Sequence, residues 1–166
     1  MSAEAPLGAP VLPETPVAPV RRACVVLLGG RPFAVDVADA REVVVLDTTT
    51  PVPGAPAPVI GVMNLRGSVL PVVEARPLLG LPVRAAGPRG RALVLADGDR
   101  RAAILIERVL GLGTLDEVEP LPAPDASGLT VGLLPGDAGE RPALLDARAV
   151  LAALRRPWDA TAGGSR

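Results

Sequence analysis

Histidine, tyrosine and lysine are absent from this 166-residue chain, and cysteine occurs once. Without histidine the commonest general base and the commonest metal ligand are missing. One cysteine and no histidine also exclude a Cys/His zinc site. The single thiol, Cys24, lies in the apolar run CVVLL and has no imidazole to activate it, so a buried, inert thiol is expected. The absence of lysine rules out a GxxxxGK phosphate loop, and no GxGxxG follows a strand and opens a helix. Aromatics amount to 1 %, Phe33 and Trp158 alone. The core must therefore be built from Val, Leu, Ile and Ala, which pack densely on a pleated surface.

Neither sign of charge is in marked excess. Seventeen arginines face 18 acidic residues, for a net charge of −1. A nucleic-acid binder needs a basic surplus with stacking aromatics, and neither is present. The pairs Arg21-Arg22, Arg100-Arg101 and Arg155-Arg156 read as solvated faces. No apolar stretch reaches membrane-spanning length, and the N-terminus lacks the basic start and continuous apolar block of a signal peptide. These features lead to the expectation of a cytoplasmic protein with no direct membrane insertion.

An enzyme working through carboxylates alone is the remaining catalytic option, but the acids are scattered among turns. Asp116, Glu117 and Glu119, the tightest set, precede PLPAP and read as a solvated loop. The fragment GLGTL (111–115) reads as a turn. No cofactor and no metal is expected.

Short strands punctuated by glycine and proline fill the chain. Residues 1–21 carry a proline at positions 6, 10, 13, 16 and 19 and read as an extended tail, more simply solubilising than a proline-motif ligand. CVVLL, a Gly29-Gly30 turn and PFAVDV form a hairpin signal, and Glu42–Leu46 (EVVVL) is a third strand. After the proline-rich loop TTTPVPGAPAP come VMNLR, a turn placed at Gly67-Ser68 in the type II′ form, and VLPVV. EARPLLGL is a short turn or helix, and AAGPRG (85–90) a hinge-like linker. The second half repeats the grammar of the first: ALVLA, a glycine turn, RRAAILI, then ERVLGL. This suggests two similar small β units. TVGLL and PALL flank PGDAGER, and PLPAPDASG is a loop. DARAVLAALRR is the clearest helix, capped by Asp146, with Ala147, Val150, Leu151 and Leu154 on one face. Residues 157–166 read as a flexible tail.

One segment stands out. Alternation in VMNLR puts Val62, Asn64 and Arg66 on one face and Met63 and Leu65 on the other. A charged residue set between Gly61 and Gly67 points to a close backbone approach. By itself Arg66 would be an ordinary exposed arginine at a hairpin end. In context, EVVVL followed by PVPGAPAPVIGVMNLRGSVLPVVEARPLLGL resembles the CheW family, the coupling proteins of bacterial chemotaxis arrays. GVMNLRG and LPVV are intact, and Leu144-Leu145-Asp146 matches a further family motif before the last helix. The family's DLR is replaced by Glu74-Ala75-Arg76, and its VD by Ile106-Glu107.

The resemblance, covering about residues 22–154, implies a mainly all-β fold of two SH3-like five-stranded β-barrel subdomains with a C-terminal helix. The boundaries expected are 22–156 for the CheW-like domain, with subdomain one at about 22–84, subdomain two at about 91–145 and a closing helix at 146–156. It also implies a non-catalytic adaptor that joins the cytoplasmic tip of a methyl-accepting chemoreceptor to the regulatory domain of a CheA-type histidine kinase, recruited to membrane-associated or polar arrays. The alternative is an interaction module of the same family in a non-motility or polar-localisation pathway. Carried over residue by residue, Glu42 and Arg66 form a pair, flanked by Gly61 and Gly67. Asn64, Val43, Val62 and Val69 complete the expected partner-binding set.

Overall fold

A computed structural model describes residues 19–83, 90–136 and 140–155. Most of the N-terminal tail, the C-terminal tail and nearly all of the 85–90 linker lie outside the described residues.

Hairpins build most of the chain. Strand β1 (Arg22–Leu28) turns at Gly29-Gly30 into β2 (Arg31–Asp36), and the two pair antiparallel from Ala23↔Asp36 to Leu28↔Arg31. Next come β3 (Ala40–Leu46), β4 (Val59–Leu65) and β5 (Ser68–Val73), and a single 3-10 turn over Pro77–Leu79. Strands β6 (Gly90–Asp97), β7 (Arg100–Ile106), β8 (Arg108–Thr114), β9 (Thr130–Leu133) and β10 (Ala143–Leu145) precede helix α1 (Ala147–Ala153).

The strands form two five-stranded sheets, in the orders β8-β1-β2-β10-β9 and β3-β6-β7-β5-β4. Sheet membership corrects the expected division at residues 84–91. The second sheet is continuous in sequence, from β3 to β7. The first is assembled from both ends of the chain, because β10 adds in parallel to β2 at Phe33↔Ala143 and β1 takes β8 on its other side. The two similar halves read from the sequence are real as hairpins but are not the folding units. Parallel pairing needs a long crossover, and here the entire second sheet serves as that connection.

Each sheet uses both faces. One face of the second sheet encloses its own interior of Leu46, Leu70, Val72, Ala92, Val94 and Ala103. The first sheet has a smaller interior of Ala23, Val25, Ala34 and Leu134. The opposite faces meet in one central core that includes Val26, Phe33, Val35, Leu93, Leu95 and Ile104. Double burial explains why ALVLA and AAILI are continuous apolar runs rather than alternating ones. Helix α1 closes this core with Ala147, Val150, Leu151 and Leu154, the face read from the sequence. Each of the three larger side chains contributes about 1.5–3 kcal/mol by burial. The Asp146 carboxylate accepts from the amides of Arg148 and Ala149 and starts the helix. The helix ends at Ala153, so Arg155 lies past its last turn.

Two polar knots hold the connections. Glu74 and Arg76 are 8 % and 7 % exposed and form an ion pair beside the central core. The Glu74 amide donates to the Pro58 carbonyl at 3.0 Å, and Arg76 Nε donates to Glu74 Oε1 at 2.7 Å. Burial pushes the Glu74 carboxyl up, but the hydrogen bonds and charge of Arg76 outweigh it and hold the group below its ordinary value. In the 115–129 loop, Asp125 accepts from Ser127, Leu129 and Thr130. The hydroxyls of Ser127 and Thr130 hold its carboxyl well below the carboxylate range. Burial raises the Cys24 thiol, which keeps it in the unreactive form. Among the described residues no helix is long and apolar enough to cross a membrane, and no cluster of three metal-ligating side chains occurs.

Candidate functional site

The VMNLRG segment forms the β4–β5 hairpin, and its register differs from the expected one. Leu65 pairs with Ser68, so the two-residue turn is Arg66-Gly67 and not Gly67-Ser68. Both turn residues have positive φ, 50° at Arg66 and 86° at Gly67, which is the type I′ pattern that matches strand twist. Gly67 adopts it without a steric penalty, whereas Arg66 is the one non-glycine residue with positive φ among the described residues. Asn64 stabilises the turn, because its Oδ1 accepts from the Gly67 amide at 2.8 Å. Arg66 is therefore not on the strand face of Val62 and Asn64; it projects from the tip of the hairpin.

Its partner comes from the far end of the same sheet. Strands β3 and β4 are the two edges in the strand order and are not hydrogen-bonded to each other. Glu42 on β3 is opposite Val94 and shares the interior face with Val44 and Leu46, at the mouth of the small core. Arg66 Nη1 donates to Glu42 Oε1 at 2.9 Å and Nη2 to Oε2 at 2.8 Å. This bidentate fork closes the seam of the curled sheet. The Arg66 side chain remains 77 % exposed and that of Glu42 28 %. One side of the guanidinium is thus committed while the rest faces solvent.

Gly61 serves a neighbouring crossing. The amide of Thr50 donates to the Val62 carbonyl at 2.9 Å, and the Val62 amide donates to the Thr50 carbonyl at 2.8 Å. A Cβ on Gly61 would stand 2.5 Å from the Thr50 carbonyl oxygen and 2.7 Å from Thr49 Cγ2. The glycine allows the 47–52 segment to lie against β4, which is the close backbone approach expected on this side. Thr49 and Thr50 were not singled out by sequence; the glycine they press on was the only signal.

Val43, Val62 and Val69 all lie on the outer face of this sheet, opposite its small interior. Val69 faces Asn64 across the hairpin and is 67 % exposed; Val43 is on β3, the other edge. The structure therefore joins Glu42 to Arg66, Asn64 to Gly67, and Val69 to the hairpin face, while Val43 belongs to a strand that does not pair with β4. Sequence reasoning did not single out the buried Glu74–Arg76 pair as a pair, although two opposite charges spaced by one alanine inside PVVEARPLL were its signal.

A CheW-like domain family matches residues 22–154, from the first strand to the end of the helix. The chain belongs to the CheW-like domain family. Chemotaxis protein CheW of Rhizobium meliloti (strain 1021) is 35 % identical over 100 residues, 59 % of this chain and 63 % of that protein. Chemotaxis protein CheW of Helicobacter pylori is 30 % identical over 111 residues, 64 % of this chain and 67 % of its relative. Protein FrzA of Myxococcus xanthus is 35 % identical over 83 residues, half of this chain. The chain thus spans less than two thirds of the length of the first of these CheW relatives. Among solved structures, the scaffolding protein TtCheW from Thermoanaerobacter tengcongensis superposes with a TM-score of 0.68 at 22 % identity, over 76 % of this chain and 89 % of that one. The likeness shows that the two interleaved sheets and closing helix are the CheW fold.

Proposed function

We propose that this CheW-like chain is a non-catalytic adaptor in a bacterial chemosensory array, joining the cytoplasmic tip of a chemoreceptor to the regulatory domain of a CheA-type histidine kinase. The observation that carries this reading is the bidentate Arg66–Glu42 fork, set on an arginine held at positive φ. Strained backbone that the surroundings over-determine clusters at working sites. The names of the relatives, chemotaxis and scaffolding proteins, support the same class. In this reading Glu42 fixes the guanidinium so that its outward donors meet a partner carbonyl or carboxylate, and Val62, Val69 and Val43 offer apolar contact around it. Asn64, Gly61 and Gly67 act by shaping the hairpin. Recruitment to a membrane-associated or polar array follows from receptor binding and needs no membrane anchor of its own.

The test is co-sedimentation of the purified chain with chemoreceptor cytoplasmic fragments and a CheA-type kinase, with kinase activation as a second readout. Binding to both is expected, with no catalysis by the chain itself. A chain that bound neither the receptor fragment nor the kinase regulatory domain would sink the proposal. Arg66→Ala and Glu42→Ala should each weaken receptor coupling while leaving the thermal midpoint nearly unchanged, since an exposed pair is worth roughly 0–1 kcal/mol.

A further inference from the structure

Strands β5 and β7 are neighbours in the second sheet, yet they pair only at Val72↔Ala103 and Val73↔Ile104. Toward the other end of β5 they separate, and a slot opens between them. Beside Ser68, Val69 and Leu70 it is a cleft of about 310 Å³, faced across the gap by Asp99 and Arg101. Asp99 and Arg101 also line a second cavity of about 520 Å³, between the start of β7 and the end of helix α1, which includes Val59, Leu151 and Leu154. Ligand sites commonly fall between about 300 and 1,000 Å³.

The β5 backbone has unmet capacity along this slot. A two-residue turn makes Leu65 and Ser68 the hydrogen-bonded pair that closes the hairpin. Bonded and non-bonded pairs then alternate, so Asn64↔Val69 and Val62↔Pro71 are non-bonded. Val62 verifies the phase, because its amide and carbonyl point away from β5 and bond Thr50. By the same phase the amide and carbonyl of Val69 point away from β4, toward the slot, and Pro71 has no amide to leave unpaired. A strand with such an unpaired side is a template for another strand.

Charge selects the occupant. Arg100, Arg101 and Arg155 line the slot against one acid, Asp99. None of the three arginines is in an ion pair among the described residues, so their charge is not met within the slot apart from Asp99. We infer that the β5–β7 slot receives an extended acidic segment of a partner protein, which adds as a short strand to Val69, pairs its carboxylates with Arg100 and Arg101, and lays apolar side chains on Leu151 and Leu154. This surface adjoins the Glu42–Arg66 fork, with the Val69 backbone lining the slot and its side chain bordering the fork, but it does not depend on the coupling role.

A fluorescein-labelled peptide of alternating Glu and Val, six residues long, tests the inference, with its Gln/Val counterpart as control. Titration of the full chain, followed by anisotropy, should give saturable binding of the Glu peptide only. Amide spectra of the ¹⁵N-labelled chain should show the Val69 resonance moving with the same saturation. The double variant Arg100→Glu/Arg101→Glu should weaken binding by at least about tenfold, the size of one lost charged hydrogen bond. Arg31→Glu, on the other sheet, should leave it unchanged. Equal binding of the Gln peptide, an unmoved Val69 amide, or full retention of binding in the double variant would each overturn the inference. Displacement of the peptide by equimolar inorganic phosphate would reduce the slot to a point anion site and would also overturn it. Binding seen only after removal of residues 156–166 would make the chain's own end the occupant, against a partner.

Discussion

At the scale of single residues, Arg66 and Arg76 show how differently two arginines can be used. Arg66 is exposed, and its φ of 50° is a conformation that costs a non-glycine residue about 1–2 kcal/mol. Losing its exposed ion pair removes about 1 kcal/mol at most. Arg66→Gly should therefore hold or raise the denaturation midpoint while it abolishes the guanidinium, and Arg66→Ala should not gain that relief. Urea unfolding of the two variants side by side checks this. Arg76 is buried against Glu74, so removing either partner strands a charge. Arg76→Ala should cost about 3–5 kcal/mol, measured in the same way. The pair also sets a pH dependence. The native Glu74 carboxyl lies below its ordinary value of 4.5, so the unfolded chain binds more protons between the two values and stability rises with pH there. The contribution is complete above about pH 4.5 and is lost as pH falls through the native value. Asp125 has the same sign. Asp39, pushed up by burial and then by Asp36, has the opposite one. Replacing Glu74 by Gln should flatten the acid limb of a stability–pH profile; an unchanged limb would remove Glu74 as its source.

At the scale of elements, the structure is a set of hairpins and crossings whose local parts were legible and whose joins were not. Gly29-Gly30 between two β-branched runs announces β1–β2, and Asp146 with the 147/150/151/154 stripe announces α1. Local spacing carries that information. The β4–β5 turn lies one residue earlier than the Gly-Ser pair suggests, because the cross-strand pairing of Leu65 with Ser68, not local turn chemistry, sets its register. Propensity argues against an arginine at positive φ, so the residue that breaks the rule is the one the family resemblance, not the pattern, had singled out. The Gly61 crossing gives an element-scale prediction. Gly61→Ala sets a methyl against the Thr50 carbonyl at 2.5 Å. The 47–52 segment must then lift off β4, with a loss of about 1–3 kcal/mol. Hydrogen exchange should show the Thr50 and Val62 amides losing protection together, since each bonds the other's carbonyl.

At the scale of the whole molecule, sheet membership was the part that sequence did not disclose. Pairing between distant strands leaves no local mark, so two repeated grammars looked like two consecutive units. Because β1 and β2 complete their sheet only with β8, β9 and β10, a fragment ending at residue 83 holds pieces of both sheets and all of neither. Residues 22–83 alone should show no cooperative unfolding transition and no near-native dichroism, and adding residues 90–155 in trans should restore both. A stably folded 22–83 fragment would contradict the interleaved arrangement. The same arrangement has a cost in time that neither half would bear alone. Phe33 waits for Ala143 to become its neighbour. At about 5–20 residues per second of synthesis, the β1–β2 hairpin stands on the ribosome for roughly 5–20 s with its core face uncovered. The emerging chain is therefore a client for whatever shields apolar strands until its last helix arrives.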